Sequence, residues 1–342
     1  MQQQERKFSM ENTITQEAKK TYSKIGLILF LTAVLIFFLQ SLLSMVVNYT
    51  PALYNNSSLS FLIMMSPIYI IVFPLAFFIF RKIPVTETSP KAGMTLRQWL
   101  AAFFVSVAVF YVSNIVGLLI TFLIGLIKGN AVQNNMLNII TNSSNIYITI
   151  LIIVILAPVF EEFLFRKCFL DRVGKYGEKL AVFVSALTFA LYHGNLNQFV
   201  YAFSLGLIFG FIYIRTRKIQ YTIFLHIGIN FVGSILGPLV IKLSGCLELI
   251  ESLGPDVSES ELMSLMMENI TGLLIYYGYM FVLFASVIAG IVILLVNLKK
   301  IRLPKKETDI EKGKGLKTAL LNVGMILNCI FWSGFIIYNT LM

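Results

Sequence analysis

Glu161, Glu162 and Arg166, then His193, then His226 with Asn230, stand at helical spacings inside otherwise apolar stretches, and the two histidines are the only ones in the chain. A charge at the centre of a lipid-embedded helix costs about 2.5 to 3.5 kcal/mol on insertion scales, so such a cluster calls for a function. Glu162 and Arg166 are four residues apart with the acid nearer the N-terminus, which suits an ion pair along one helix face. Glu161 is turned about 100° away from that face. It is therefore the freer carboxylate, and in a cavity it is suited to take a proton from water as a general base. Phe189 and His193 repeat the four-residue spacing, so the phenyl ring can orient the imidazole. His226 and Asn230 do the same and offer two donors for the oxyanion that forms when water attacks a peptide carbonyl. The chemistry indicated is hydrolysis without a serine or cysteine nucleophile.

Bland readings exist for each residue alone. A buried Glu–Arg pair also knits helices together, and histidine or asparagine can join helices in lipid at about 0.6 to 2 kcal/mol each. Two histidines, an asparagine and a spare glutamate at similar depth on three helices favour chemistry over glue. Ser185, Thr188 and Ser204 are expected to bond to backbone, and the aromatic and methionine residues, including the run Met263 to Met267, are expected to pack.

The elements that carry these residues are membrane helices. A chain of 342 residues that is 57% hydrophobic and 13% charged does not form an ordinary soluble globule. The net charge of +10 is spread in short basic groups between apolar runs, where it marks topology rather than nucleic-acid binding. Cys168, Cys246 and Cys329 form no paired framework. A span needs roughly 20 residues, and apolar runs at about 25–47, 60–80, 99–127, 146–172, 199–214, 220–241, 272–297 and 316–341, with a shorter one at about 179–193, give eight or nine helices. The fold class is all-α, a polytopic transmembrane bundle.

Residues 1–24 read as a cytosolic tail, 25–298 as the membrane-embedded bundle with its functional core at about 146–240, and 299–342 as a basic, solvated linker followed by a last helix peripheral to that core. Arg81, Lys82, Lys91 and Arg97, then Arg172, Lys175 and Lys179, then Arg215, Arg217 and Lys218, and finally Lys299 to Lys306 mark one side as cytosolic. The alternate loops are poor in positive charge, and Leu243 to Ile270 carries Glu248, Glu251, Asp256, Glu259, Glu261 and Glu268. The expected topology is a cell-membrane protein of nine spans with a cytosolic N-terminus and an outer C-terminus.

Counted from the cytosolic helix ends at about 1.5 Å per residue, Glu161 lies roughly 16 Å deep, His193 roughly 21 Å and His226 roughly 10 Å. These depths predict a shared cavity in the cytosolic half. The brevity of the fifth helix predicts a turn buried in protein at Gly194 to Gln198. Pro158 removes a backbone hydrogen bond just before the glutamates and predicts a bend there.

The patterns Glu-Glu-x-x-x-Arg at 161–166, Phe-x-x-x-His at 189–193 and His-x-x-x-Asn at 226–230, in this order on apolar helices, resemble the CPBP family. These are the CAAX proteases and bacteriocin-processing enzymes, also called Abi proteins, related to the type II CAAX prenyl endopeptidase. The resemblance covers about residues 146–240 and implies an intramembrane endopeptidase with a site opening toward the cytosolic side, in which Glu161 with His193 activates water and His226 with Asn230 forms the oxyanion site. It implies a membrane-associated peptide or protein substrate within the lipid bilayer, and no nucleic acid. No cofactor is expected: zinc is conceivable from two histidines and a glutamate, but asparagine is a poor zinc ligand and pairs naturally with His226 as a donor. Two alternatives stay open at this point, a non-proteolytic immunity or scaffold protein that binds peptide in the same cavity, and a proton-coupled transporter. The absence of a visible internal repeat weighs against the latter. Substrate identity and oligomeric state are not written in the sequence.

Overall fold

The computed structural model describes residues 2–85, 93–130, 132, 145–245, 258–304, 309–311 and 313–341. Lys91, Lys305, Lys306, Cys246, Glu248, Glu251 and Asp256 of the sequence reading lie outside them. The described chain is helical with no strand. We label the main helices α1 (Gln2–Tyr49), α2 (Ser57–Phe80), α3 (Leu96–Lys128), α4 (Ile146–Tyr176), α5 (Glu178–Tyr192), α6 (Leu196–Thr216), α7 (Ile219–Ser244), α8 (Ile270–Lys300) and α9 (Val323–Leu341). All but α5 are long and apolar enough to cross a membrane. The chain is a multi-pass helical membrane protein.

Contacts between helix ends define two poles. At the first, Trp99 of α3 donates to the Tyr221 carbonyl of α7 at 3.2 Å, Arg172 of α4 donates to the Phe80 carbonyl of α2 at 3.0 Å, and Arg217 after α6 pairs with Asp171 of α4 at 3.2 Å. The basic groups Lys82, Arg97, Lys175, Lys218 and Lys300 all belong to helix ends at this pole, which we call the basic pole. At the far pole, Lys128 at the end of α3 donates to the Thr340 carbonyl near the end of α9, at 3.0 Å. A side chain at Gly272, near the start of α8, would collide there with the Ser244 carbonyl that ends α7.

The N-terminal stretch is not a free tail. It continues α1 as one helix, and Ala18 and Tyr22 are wholly buried, with Tyr22 edge-on to Phe169 and Lys175 bonded to Glu17 at 2.6 Å. The last helix is not peripheral either. α9 crosses α1 where Gly26 and Gly324 leave no room for a side chain between the two backbones. Phe37 of α1 packs edge-on against Phe331, Trp332 and Phe335 of α9. The segment leading to α9 also packs rather than floating free: Leu303 and Ile310 are buried, and the Ile310 amide donates to the Tyr176 carbonyl at 3.1 Å. Apolar side chains spaced among its lysines explain the difference. Conversely, Met263, Met266 and Met267 do not pack; they stand exposed on the short helix Glu259–Glu268.

Candidate active site

α4 is distorted on both sides of the two glutamates. Residues Ile150–Leu156 and Phe163–Leu170 are wound as π-helix, a widening often associated with functional sites. In the first stretch the Ala157 amide bonds the carbonyl five residues back, at Ile152. The next amide in that register would belong to residue 158 and would bond Ile153, but Pro158 has none. Asn230 fills the vacancy, its Nδ2 donating to the Ile153 carbonyl at 2.9 Å. The hydrogen bond that Pro158 removes thus leaves an acceptor that is met by a residue on α7.

Below Pro158 the glutamates separate as their spacing requires. Glu162 is wholly buried, with Oε2 3.1 Å from Arg166 Nε, also wholly buried. The Arg166 Nε–H does not aim at that oxygen, so the contact is coulombic rather than a hydrogen bond. The guanidinium lies 4.8 Å from the centre of the Phe189 ring and donates to Ser185 Oγ at 3.4 Å. Ser185, Thr188 and Ser204 each bond to backbone carbonyls as expected. Glu162 Oε1 is 3.1 Å from His226 Nδ1. An ionised carboxylate only accepts, so this ring nitrogen carries the proton and donates. His226 Nε2 then faces Glu161 Oε2 at 3.7 Å. The ring is 4% exposed and walled by Phe189 and Phe209.

Glu161, 23% exposed at its side chain, lines a cavity of about 500 Å³. His193 and Asn230 line it too. His193 caps the C-terminal end of α5, its ring edge-on to Phe189 with centres 4.8 Å apart. Its Nδ1 lies 2.9 Å from the Phe189 carbonyl, which can only accept, so Nδ1 donates and Nε2 is left as an acceptor. The buried turn after it is present: Gly194 has φ +60 and abuts Phe335 and Trp332, Asn339 donates to its carbonyl at 3.1 Å, and the Asn195 side chain starts α6 by accepting from the Asn197 amide at 2.8 Å.

The structure therefore gathers all six anticipated residues but divides them differently. Glu161, His193 and Asn230 face the cavity, while Glu162, Arg166 and His226 form a buried layer behind Glu161. His226 and Asn230 do not act as a free donor pair, because His226 is turned to the glutamates and one Asn230 N–H is spent on Ile153. The cavity also runs away from the basic pole, the side on which its opening was expected. From Glu161 it continues through Ile152 and Ile153 of α4, Asn114 of α3 and Ser234 of α7, all toward the far pole. Toward the basic pole Phe165, Phe169 and Leu170 are wholly buried. Asn197 and Gln198, anticipated only as part of the buried turn, also line the cavity, as do Tyr69, Asn114, Tyr201 and Trp332, which escaped the sequence reading. A polar Asn114 in the middle of an apolar span was the available signal.

Each histidine turns Nδ1 to a protein acceptor and Glu162 is held by Arg166 and His226, which leaves two Nε2 atoms and Glu161 as the donors that could hold a zinc ion. No three His, Cys, Asp or Glu side chains among the described residues are gathered to hold a metal.

Fold and site define a class: a multi-pass helical membrane protein with a carboxylate and imidazole cluster at the floor of an intramembrane cavity. Residues 143–232, the segment that holds all six residues, match the family model described as type II CAAX prenyl endopeptidase Rce1-like. A Bacillus subtilis (strain 168) protein named "Putative membrane peptidase YdiL" is 25% identical over 139 residues, 40% of this chain and 54% of that one. The match thus spans about half the length of that relative. No solved structure matches the chain.

Proposed function

We propose that the chain is an intramembrane endopeptidase of the CAAX-protease type, residing in a cell membrane with its N-terminus cytosolic and hydrolysing a peptide bond in a membrane-associated peptide or protein. The observation that carries this reading is Glu161, exposed to the cavity alongside His193 and backed at 3.7 Å by His226 Nε2. Glu161 accepts a proton from a water that His193 Nε2 helps to orient, and the hydroxide attacks the substrate carbonyl. His226 stands ready to share the proton, its ring fixed by Glu162, and the imidazolium so formed puts positive charge beside the developing oxyanion. The second N–H of Asn230 is the neutral donor to that oxyanion. The proton returns to the leaving amine as the carbon–nitrogen bond breaks. Arg166 compensates the buried Glu162 and keeps it ionised as the acceptor for His226.

The membrane-family match and the buried acid–imidazole geometry support this reading together. Its test is a comparison of peptides in membranes of cells carrying the wild-type chain or Glu161→Ala, followed by cleavage of the peptide so identified with purified protein. Equal cleavage by both proteins overturns it.

A further inference from the structure

α2 carries none of the six anticipated residues, yet it reaches the cavity. Pro67 stands inside this helix, and residues Ile68–Val72 after it are wound as π-helix, the Phe73 amide bonding the carbonyl five residues back, at Ile68. α7 is wound in the same way at Val232–Leu236. The widened stretches of all three helices supply the cavity wall: Ile68 and Tyr69 of α2, Ile152, Ile153 and Phe165 of α4, and Ser234 of α7. Widenings of this kind recur at functional sites.

An aromatic column fixes Tyr69. Its ring centre lies 5.3 Å from that of Phe160 and 6.0 Å from that of Phe73, and Phe160 in turn stacks on Phe73 at 5.3 Å and on Phe77 at 6.0 Å. Phe160 is the residue before Glu161, so α2 presents Tyr69 beside the carboxylate that His226 backs from α7. The charge of Glu161 reaches the Tyr69 hydroxyl. Two other tyrosines line the cavity, and their hydroxyls are engaged, that of Tyr192 with Thr32 at 2.9 Å and that of Tyr201 with Gln198. The Tyr69 hydroxyl has no hydrogen bond among the described residues. A phenol so enclosed needs a partner, and the cavity is where one can come from.

The donors around Glu161 are nearly all spent. His193 Nδ1 is committed to the Phe189 carbonyl, His226 Nδ1 to Glu162, and one Asn230 N–H to Ile153. That leaves a single Asn230 N–H for a carbonyl oxygen with two lone pairs. Trp332 Nε1 is also unpaired, but it belongs to the α9 wall, where its ring packs against Tyr192 with centres 4.8 Å apart.

Resting on the peptidase reading, we propose that Tyr69 is a further catalytic residue, its O–H the second neutral donor to the oxyanion. As hydroxide adds to the substrate carbonyl carbon, the π electron pair moves onto the oxygen, which accepts from Asn230 and Tyr69 together. When that pair returns and the carbon–nitrogen bond breaks, the proton taken from water goes to the leaving amine, and Tyr69 keeps its own. Tyr69 lies outside the matched segment 143–232, so the family pattern does not contain it.

The test uses the purified full chain and the peptide that the membrane comparison identifies. Tyr69→Phe removes the hydroxyl and keeps the aromatic column, so its unfolding temperature should match wild type. Its kcat should fall about 10² to 10³-fold, the effect of losing one oxyanion donor, while KM moves by less than about threefold. Fluorotyrosine in place of Tyr69 keeps the O–H and should hold kcat within about threefold of wild type. Its fluorine resonance should shift when Glu161→Gln removes the neighbouring charge, a readout that needs no substrate. A kcat loss below about tenfold in Tyr69→Phe, an equal loss with fluorotyrosine, or an unshifted resonance overturns the proposal. Glu161→Gln also separates the two readings. If it cleaves like wild type, the peptidase reading falls; an inactive Glu161→Gln beside a fully active Tyr69→Phe removes Tyr69 alone.

Discussion

Asn230 on α7 donates to the carbonyl of Ile153 on α4, the acceptor that Pro158 cannot serve. This single bond ties the helix carrying His226 to the helix carrying both glutamates, and it sets the height at which the imidazole meets them.

Removing it should expose the debt. Asn230→Ala is expected to cost about 1–3 kcal/mol, the penalty of a buried unsatisfied carbonyl. Pro158→Ala supplies an amide in the right register, so the double variant should be more stable than the sum of the singles requires. Thermal unfolding in detergent, run as a double-mutant cycle, measures this; strict additivity would sink the explanation.

The two adjacent glutamates should behave oppositely. Glu162→Ala strands Arg166 and the Nδ1 proton of His226 in the interior and should destabilise by about 3–5 kcal/mol. Glu161→Gln, facing the cavity, should change stability by less than about 1 kcal/mol while cleavage falls by about 10² to 10⁴-fold. Unfolding and cleavage measured on both variants decide the matter, and a stable Glu162→Ala protein contradicts the buried-layer assignment.

The histidines should divide in the same way. His226→Ala should lose both cleavage and about 1.5–3 kcal/mol of stability through its bond to a charged carboxylate. For His193→Ala the loss should fall chiefly on cleavage. Wild-type cleavage rates in His193→Ala would remove it from the proposed water site.

Because α9 walls the cavity, a change remote from the glutamates should matter. Gly324→Leu would drive a side chain into the Ser23 carbonyl and Leu27 amide of α1, at a cost of about 1–3 kcal/mol or more. It should also depress cleavage by displacing Trp332 and Phe335. A variant indistinguishable from wild type would restore α9 to the periphery.

A chelator should leave the proposed reaction untouched. Cleavage by purified protein held in 1,10-phenanthroline is expected to match the untreated rate; loss of activity that zinc restores would replace the metal-free mechanism.

What the sequence determined is what a helix determines within itself. The Glu162–Arg166 pair, the edge-on packing of Phe189 against His193, the shortness of α5 and its buried turn all follow from 3.6 residues per turn and from span length. The collection of basic groups at one pole likewise follows from alternating spans. The tertiary structure alone decided how the helices are rotated and staggered against each other. It turned His226 to Glu162 and Glu161, spent an Asn230 donor on the carbonyl released by Pro158, brought α9 into the cavity wall, and opened the cavity away from the basic pole. Those outcomes depend on close packing between segments far apart in the chain, such as the glycine crossing of α1 and α9. Local periodicity carries no record of that packing.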